Sequence, residues 1–208
     1  MQLLTIQRIL GILLSLFSIT MLPPVLVSLW FDDGAATAFL TAFVILVSTG
    51  LLLWLPARKH QKELKIRDGF IVVVMFWIAL GFSGALPFYL TESPQMSITD
   101  SVFESMSGLT TTGATVLVGL DTLPEAVLFY RQFLQWLGGM GIVVLAVAIL
   151  PLLGVGGMQL YRAETPGPMK DAKLTPRITE TAKALWYIYL SLTVACAIAY
   201  RWAGMTWF

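Results

Sequence analysis

A short polar segment, Ser97 to Thr115, lies between two long apolar runs of the chain. The run before it extends from Gly69 to Leu90 and the run after it from Ala126 to Leu153. Each run is long enough for a membrane-spanning helix, which needs about 20 mostly apolar residues. The polar segment is too short to cross a bilayer by itself. Its position therefore predicts a short helix and a loop that enter the membrane from one side and return to that side.

Composition agrees with a membrane protein. Hydrophobic residues make up 57% of the 208 residues and charged residues 12%, whereas a soluble domain carries about 25% charged residues. We therefore expect an all-α integral membrane protein with membrane lipid around it. The net charge of +1 provides no basic field for nucleic acid. The single cysteine, Cys196, excludes an intrachain disulfide, and we expect neither a thiolate metal site nor a cofactor.

The apolar runs predict five membrane spans. These lie at about 6–30, 36–55, 69–90, 126–153 and 184–200. The first run is longer than the apolar core of a signal peptide and no small-residue cleavage site follows it, so we expect it to be retained as a helix. Pro23 and Pro24 predict a kink or an early end in the first span. Pro87 is expected to end the third.

The charges of the loops predict the orientation in the membrane. Ten of the thirteen lysines and arginines lie in the loops after the second and fourth runs, and none lies in the loops after the first and third. Because positive residues stay in the cytoplasm, the N-terminus is expected inside the cell. The segment Ser97–Thr115 is then expected to enter from the outside.

The first part of this segment has the features of a short helix. Ser97 or Thr99 can cap its N-terminus with a hydroxyl oxygen. Asp100 and Glu104 come early, where the helix dipole favours negative charge. An apolar side is supplied at roughly helical spacing by Val102, Phe103, Met106 and Leu109. The helix is predicted over 97–109, with its carbonyl end toward the middle of the membrane.

The second part, Thr110-Thr111-Thr112-Gly113-Ala114-Thr115, has the chemistry of an ion-selectivity filter. Non-helical backbone at membrane depth must be buried in protein or line a water-filled cavity. Carbonyl and hydroxyl oxygens can replace the water around a monovalent cation, and Gly113 permits backbone angles that turn carbonyls toward one axis. The residues alone leave a second interpretation open, an external loop with a short amphipathic helix and a turn rich in threonine and glycine.

Arg131 lies within the fourth apolar run and needs a polar partner. Glu104 and Glu125 are the candidates, and we expect a structural ion pair between Arg131 and Glu104. Snorkelling of Arg131 to the interface is the alternative. A cluster of small residues farther along the run predicts close helix packing or a hinge: Gly138, Gly139 and Gly141.

Three stretches together resemble the potassium-uptake family that contains Trk, Ktr and plant HKT proteins. They are Arg67-Asp68-Gly69-Phe70, the segment from Phe103 to Thr115 (FESMSGLTTTGAT), and the segment from Arg131 to Gly141 (RQFLQWLGGMG). The resemblance is closest to the bacterial Trk branch and covers the whole chain. It implies a fold like that of a potassium channel, with four unequal M1–P–M2 repeats in one polypeptide and two helices before them.

The resemblance also implies a division of this chain. It gives a two-helix transmembrane hairpin at 1–56, a cytoplasmic basic loop at 57–67, a first M1–P–M2 repeat at 68–153, a cytoplasmic loop at 154–183 and the first helix of an incomplete second repeat at 184–208. In that repeat the pore helix is 97–109 and the filter 110–115.

By resemblance, potassium is the transported ion. Thr111, Thr112, Gly113 and Ala114 would coordinate it, with Thr110 and Thr115 flanking them. A single filter glycine, where potassium channels have two, implies looser selectivity and possible passage of sodium.

The same resemblance implies a location and partners. The location is the bacterial inner membrane. The partners are a second copy of the chain or further pore repeats, and a cytoplasmic nucleotide-binding subunit of the TrkA type that contacts 154–183. Because the chain supplies one of four filter strands, we expect a truncated product. A non-conducting fragment that inserts or assembles with other subunits is therefore the main alternative. An intramembrane enzyme is disfavoured because the serines within the apolar runs have no visible base.

Overall fold

The computed structural model describes residues 3–60, 66–152 and 174–205. All regular secondary structure in these residues is helical. The chain divides into two compact units, one ending at Gly138 and the other beginning at Gly139. Seven α-helices occur in the described residues: α1 Leu3–Ser18, α2 Leu22–Phe31, α3 Ala36–Ala57, α4 Ile66–Leu90, α5 Ile98–Leu109, α6 Glu125–Leu152 and α7 Leu174–Trp202. The predicted all-α class is confirmed.

Four stretches of the described residues are helical, long and apolar enough to cross a membrane: Leu3–Phe31, Ala36–Ala57, Ile71–Leu90 and Glu180–Trp202. They match four of the five predicted spans. The remaining predicted span, 126–153, corresponds to α6, a helix of 28 residues. Helix α6 is not one of these four stretches, so this span stays a prediction. The predictions for 61–65 and 153–173, which are part of the first basic loop and most of the second, lie outside the described residues.

Two prolines are expected to kink or end the first span. A short 3₁₀ turn, Ile19–Met21, does interrupt the helix just before Pro23 and Pro24 and separates α1 from α2. Both prolines then occupy the first turn of α2, where a backbone N–H has no helical partner to lose. The expectation that Pro87 ends its helix is wrong, because α4 continues to Leu90. Pro87 itself accepts hydrogen bonds from the amide and hydroxyl of Thr91.

Helices α1 and α3 form a hairpin and approach each other closely where Gly11 meets Gly50. A Cβ at Gly11 would lie 2.7 Å from the Gly50 carbonyl oxygen, and a Cβ at Gly50 would lie 2.9 Å from the Gly11 oxygen. Gln7 Nε2 donates to the Leu53 carbonyl at 3.0 Å farther along the same interface. Small residues let helices approach closely in lipid, where packing is the main attraction available. The hairpin is therefore held by direct contact between backbones.

The buried core of the first unit is centred on Tyr130 of α6. Its ring contacts Phe39 of α3 at a centroid distance of 5.2 Å and Phe88 of α4 at 5.1 Å. Its hydroxyl donates to the Gly84 carbonyl oxygen at 3.1 Å. Tyr130 thus joins three helices, which fixes the N-terminal half of α6 against α3 and α4.

The second unit contains the end of α6 and the described part of α7. Helix α7 begins at Leu174, well before the predicted start of the span at Ala184, and ends at Trp202. Its apolar part, Glu180–Trp202, has no residue buried inside the protein. Helical structure therefore extends beyond the apolar run and includes Arg177 and Lys183, which the sequence had placed in a loop.

Candidate functional site

Helix α5 begins where the sequence predicted. Ser97 has extended backbone angles and its Oγ accepts a hydrogen bond from the Asp100 amide at 3.1 Å, which is the geometry of an N-cap. Ser101 Oγ donates back to the Ser97 carbonyl at 2.8 Å. Asp100 lies in the first turn, where its charge interacts favourably with the helix dipole. The 12-residue helix then ends at Leu109.

Small residues allow α5 to lie deep among its neighbours. A Cβ at Gly138 of α6 would collide with the Leu109 carbonyl, and a Cβ at Gly108 would lie 3.0 Å from Leu134 Cβ. On the opposite side, a Cβ at Gly84 of α4 would collide with Ser105 Oγ. Close packing is therefore what Gly138 provides, whereas a Cβ at Gly141 would meet no atom of the described residues within 4 Å.

The chain after α5 turns through a series of unusual backbone angles. Thr111 has φ +59° and Gly113 has φ +74°, both in the left-handed region that glycine enters readily and a β-branched residue rarely does. The amides of Thr112 and Gly113 both donate to the Ser107 carbonyl, at 3.0 and 3.3 Å. The amides of this turn are thus directed back toward α5.

Most carbonyl oxygens of the turn, unlike its amides, have no hydrogen-bond partner among the described residues. Within the described residues, no hydrogen bond reaches the carbonyl oxygens of Thr110, Thr111, Thr112 or Gly113. The side chains from Thr110 to Val116 are exposed in this chain. Gln135 of α6 lies behind the turn, with its Nε2 3.8 Å from the position of a Cβ on Gly113. These four carbonyl oxygens are therefore acceptors without a donor among the described residues.

Two contacts hold the far end of the turn. Ser107 Oγ donates to the Ala114 carbonyl at 2.6 Å, which ties the end of α5 to the residue after Gly113. Glu104 Oε1 accepts from the Thr115 hydroxyl and from the Val116 amide, the latter at 2.8 Å. The segment 110–115 is therefore anchored at both ends to one helix.

The second oxygen of the same carboxylate meets Arg131. Arg131 Nε donates to Glu104 Oε2 at 3.0 Å, and both side chains are buried. Of the two candidate partners, the structure thus brings Glu104 and not Glu125 to Arg131. One buried carboxylate connects α5, the segment after Gly113 and α6. The sequence indicated the pair but missed the contacts of Ser107 and Thr115. Their only sequence signal was a run of small hydroxyl residues near Glu104.

The fold and this site define a class of protein: an all-helical membrane protein with a short helix and a row of free carbonyl oxygens beside its spans. The chain belongs to the TrkH family of cation transport proteins, whose model matches residues 35–206. The resemblance noted in the sequence is therefore confirmed. The relatives are transporters and not enzymes, which excludes the enzymatic alternative.

Individual relatives agree. The chain is 66% identical over 206 residues to the Trk system potassium uptake protein TrkH of Vibrio parahaemolyticus and 64% identical over 200 residues to that of Escherichia coli K12. These alignments cover 99% and 96% of this chain but 42% and 41% of the relatives. A crystal structure of the potassium transporter TrkH from Vibrio parahaemolyticus matches with a TM-score of 0.85 and 59% identity. It covers 99% of this chain and 41% of that one.

Proposed function

We propose that this chain provides one quarter of a potassium permeation pathway, with Thr110–Thr115 as its strand of the selectivity filter. Potassium would be coordinated by oxygens of Thr111, Thr112, Gly113 and Ala114, with Thr110 and Thr115 flanking. The observation that carries the proposal is the row of free carbonyl oxygens from Thr110 to Gly113. Such oxygens replace the hydration shell of a cation that has lost its water.

The backbone of this segment supports the assignment. Left-handed angles at Thr111 and Gly113 alternate with ordinary angles at the residues beside them, and this alternation changes the direction in which successive carbonyls point. Holding Thr111 in this region costs free energy, so the surrounding contacts must maintain it.

Charge supports a monovalent cation. The segment 110–115 contains no carboxylate, and the nearest one, Glu104, is already neutralised by Arg131. A divalent cation would therefore be poorly compensated by neutral oxygens alone. The end of α5 adds the partial negative charge of a helix C-terminus.

The proposed layout follows the sequence-based division. Residues 1–56 form a hairpin outside the pore, 57–67 a cytoplasmic loop, 68–153 the first M1–P–M2 repeat, 154–183 a second cytoplasmic loop and 184–208 the first helix of the next repeat. The distribution of positive residues supports a cytoplasmic N-terminus in a bacterial inner membrane. The segment 97–115 would then re-enter from outside.

A complete pathway needs three more filter strands. The chain spans about two-fifths of the length of its curated relatives, and one strand cannot surround an ion. We propose that the other strands come from further pore repeats. A homodimer of complete subunits and a TrkA-type cytoplasmic subunit, contacting 154–183, complete the proposed assembly. The alternative is a fragment that inserts in the membrane and conducts nothing.

Growth at low potassium tests the proposal. Cells without their own uptake systems would receive this chain together with the remaining part of the Escherichia coli relative as a second polypeptide. Restored growth and rubidium uptake are expected, and both should be lost in Gly113→Asp. Gly119→Asp is the matched control, because Gly119 has φ +68° in the same loop but lies outside 110–115.

The outcomes separate the two functions. Equal activity of Gly113→Asp and Gly119→Asp, at equal abundance, would contradict the filter assignment. Normal insertion without growth, in the presence of the second polypeptide, would favour the non-conducting fragment. Growth with the 208-residue chain alone would show that copies of this chain supply the missing strands.

A further inference from the structure

Asp33, in the turn between α2 and α3, binds two distant parts of the first unit at once. Its Oδ1 accepts from the Ser28 hydroxyl and from the Ala35 amide, the latter at 3.0 Å. Its Oδ2 accepts from the Ala126 amide of α6 at 2.8 Å, across 93 positions of sequence. One carboxylate therefore joins the hairpin turn to the first turn of α6.

Helix α6 needs such an acceptor at this end. The residue before it, Pro124, has no side-chain oxygen, and its carbonyl already accepts from Val127 and Leu128. The amides of the first helical turn have no partner within the helix. A carboxylate placed there both accepts a hydrogen bond and interacts favourably with the positive end of the helix dipole. Asp33 supplies from another helix pair what an N-cap residue supplies locally.

A continuous series of contacts leads from this point to the filter segment. Tyr130, one turn below Ala126, is held by Phe39, Phe88 and the Gly84 carbonyl. The next residue, Arg131, donates to Glu104, which in turn accepts from Thr115 and Val116. The depth and rotation of α6 therefore decide where the Glu104 carboxylate is held.

We infer that Asp33 is a positioning residue for the filter, acting through α6, Arg131 and Glu104. The hairpin α1–α3 then serves as an outer brace of the pore repeat and not only as an added membrane anchor. This inference rests on the proposed function for its effect on ions. Its effect on the position of the segment 110–115 does not depend on transport and can be measured separately.

Chemical labelling reports on that position. Ser105→Cys, a fully buried position next to Glu104 that becomes accessible only when the contacts around α5 open, would be introduced with Cys196→Ser, and a membrane-impermeant maleimide would be added from outside to membranes containing the chain. Loss of a helix cap changes a local opening equilibrium about fivefold. Asp33→Ala is therefore expected to raise the labelling rate about fivefold. An unchanged rate, at equal abundance, would overturn the inference.

Two comparisons separate the bond from the charge. Asp32→Asn removes the neighbouring negative charge and keeps a residue suited to the left-handed angle at 32, φ +56°, so no change in labelling is expected. Asp33→Asn likewise removes one negative charge. It also places an amide N–H donor against the hydrogen-bond donor of Ser28, Ala35 or Ala126, so at least one of these bonds is lost. It should raise the rate, and equal rates for the two variants would contradict the inference. If Asp33→Ala fails to accumulate, Asp33→Asn provides the same test.

Transport then distinguishes the two proposals. With the second polypeptide present, Asp33→Asn should shift the ratio of potassium to sodium uptake at unchanged abundance. A merely structural role would lower abundance and leave that ratio as it was. Faster labelling in a chain whose uptake does not respond to Gly113→Asp would support the brace and contradict the filter. Unchanged labelling with a filter that does respond would contradict the brace alone.

Discussion

Arg131 Nε lies 3.0 Å from Glu104 Oε2, and the two side chains are 7% and 2% exposed. The remaining oxygen of Glu104 binds Thr115 and Val116, so the pair has no unused acceptor on the carboxylate. An ion pair satisfied in this way stabilises one arrangement of the helices around it, because breaking it leaves a charge without a partner.

Arg131→Leu is expected to lower the amount of folded protein. It leaves Glu104 buried without its cation, which costs about 3–5 kcal/mol. Abundance in the membrane fraction and thermal unfolding in detergent would measure the loss, with Arg58→Leu, at an exposed position just after α3, as control. The double variant Arg131→Leu with Glu104→Gln should recover part of it. Normal abundance of Arg131→Leu with altered ion selectivity would contradict a structural role.

Gly138→Ala is expected to destabilise the first unit. The added methyl group would meet the backbone carbonyl of Leu109, and a backbone cannot move aside as a flexible side chain can. A cost of about 1–3 kcal/mol is expected for such overpacking. Gly141→Ala is the matched control, since no atom in the described part of the chain lies within 4 Å of its Cβ and alanine favours helix. Equal melting temperatures for the two variants would show that α5 does not rest against Gly138.

Ser107→Ala should loosen the segment 110–115 while leaving the fold intact. It removes the 2.6 Å bond to the Ala114 carbonyl, a net loss of about 1 kcal/mol. We expect weaker discrimination between potassium and sodium in the two-polypeptide uptake assay. Ser101→Ala, on the same helix, loses only the hydrogen bond from its hydroxyl to the Ser97 carbonyl one turn earlier. This variant should discriminate between the two ions as well as the unmutated chain does. A larger effect from Ser101→Ala would argue against the anchor.

Tyr130→Phe is expected to reduce stability by about 0.5–1.5 kcal/mol, because it removes a buried hydrogen bond and keeps the ring. The lost bond runs from the hydroxyl to the Gly84 carbonyl, while the contacts with Phe39 and Phe88 remain. Unfolding in detergent measures the change. Tyr89→Phe, half exposed on α4, should be neutral, and a similar loss there would point to a general effect of the hydroxyl.

The local features of this fold could be predicted and the distant contacts could not. The cap at Ser97 and the extent of α5 depend on residues a few positions apart, so the sequence carried a direct signal. The Asp33–Ala126 bond has no such signal, because the contact depends on how three helices pack. Pro87 was misleading for a related reason. Its effect on a helix end depends on the residues after it, and Thr91 extends the hydrogen bonding of the last turn.

The Glu104–Arg131 contact could be anticipated because a charge within an apolar run narrows the choice of partner. Choosing between Glu104 and Glu125 required the structure. The left-handed angle at Thr111 was also beyond the sequence, since threonine gives no indication of it. In that turn, only Gly113 was a sequence signal for backbone angles in the left-handed region.

Where Gly11 meets Gly50 the two backbones are in contact, and the side chain nearest to Gly50, that of Ser15, is held by its own hydrogen bond to the Gly11 carbonyl. Sliding or rolling at such a contact would need the backbones to separate, and lipid offers little to compensate for that separation. Helices α1 and α3 should accordingly move together as one rigid body. A displacement at one end of the hairpin, near Gln7 and Leu53, would then be transmitted to its other end without any rearrangement along the way.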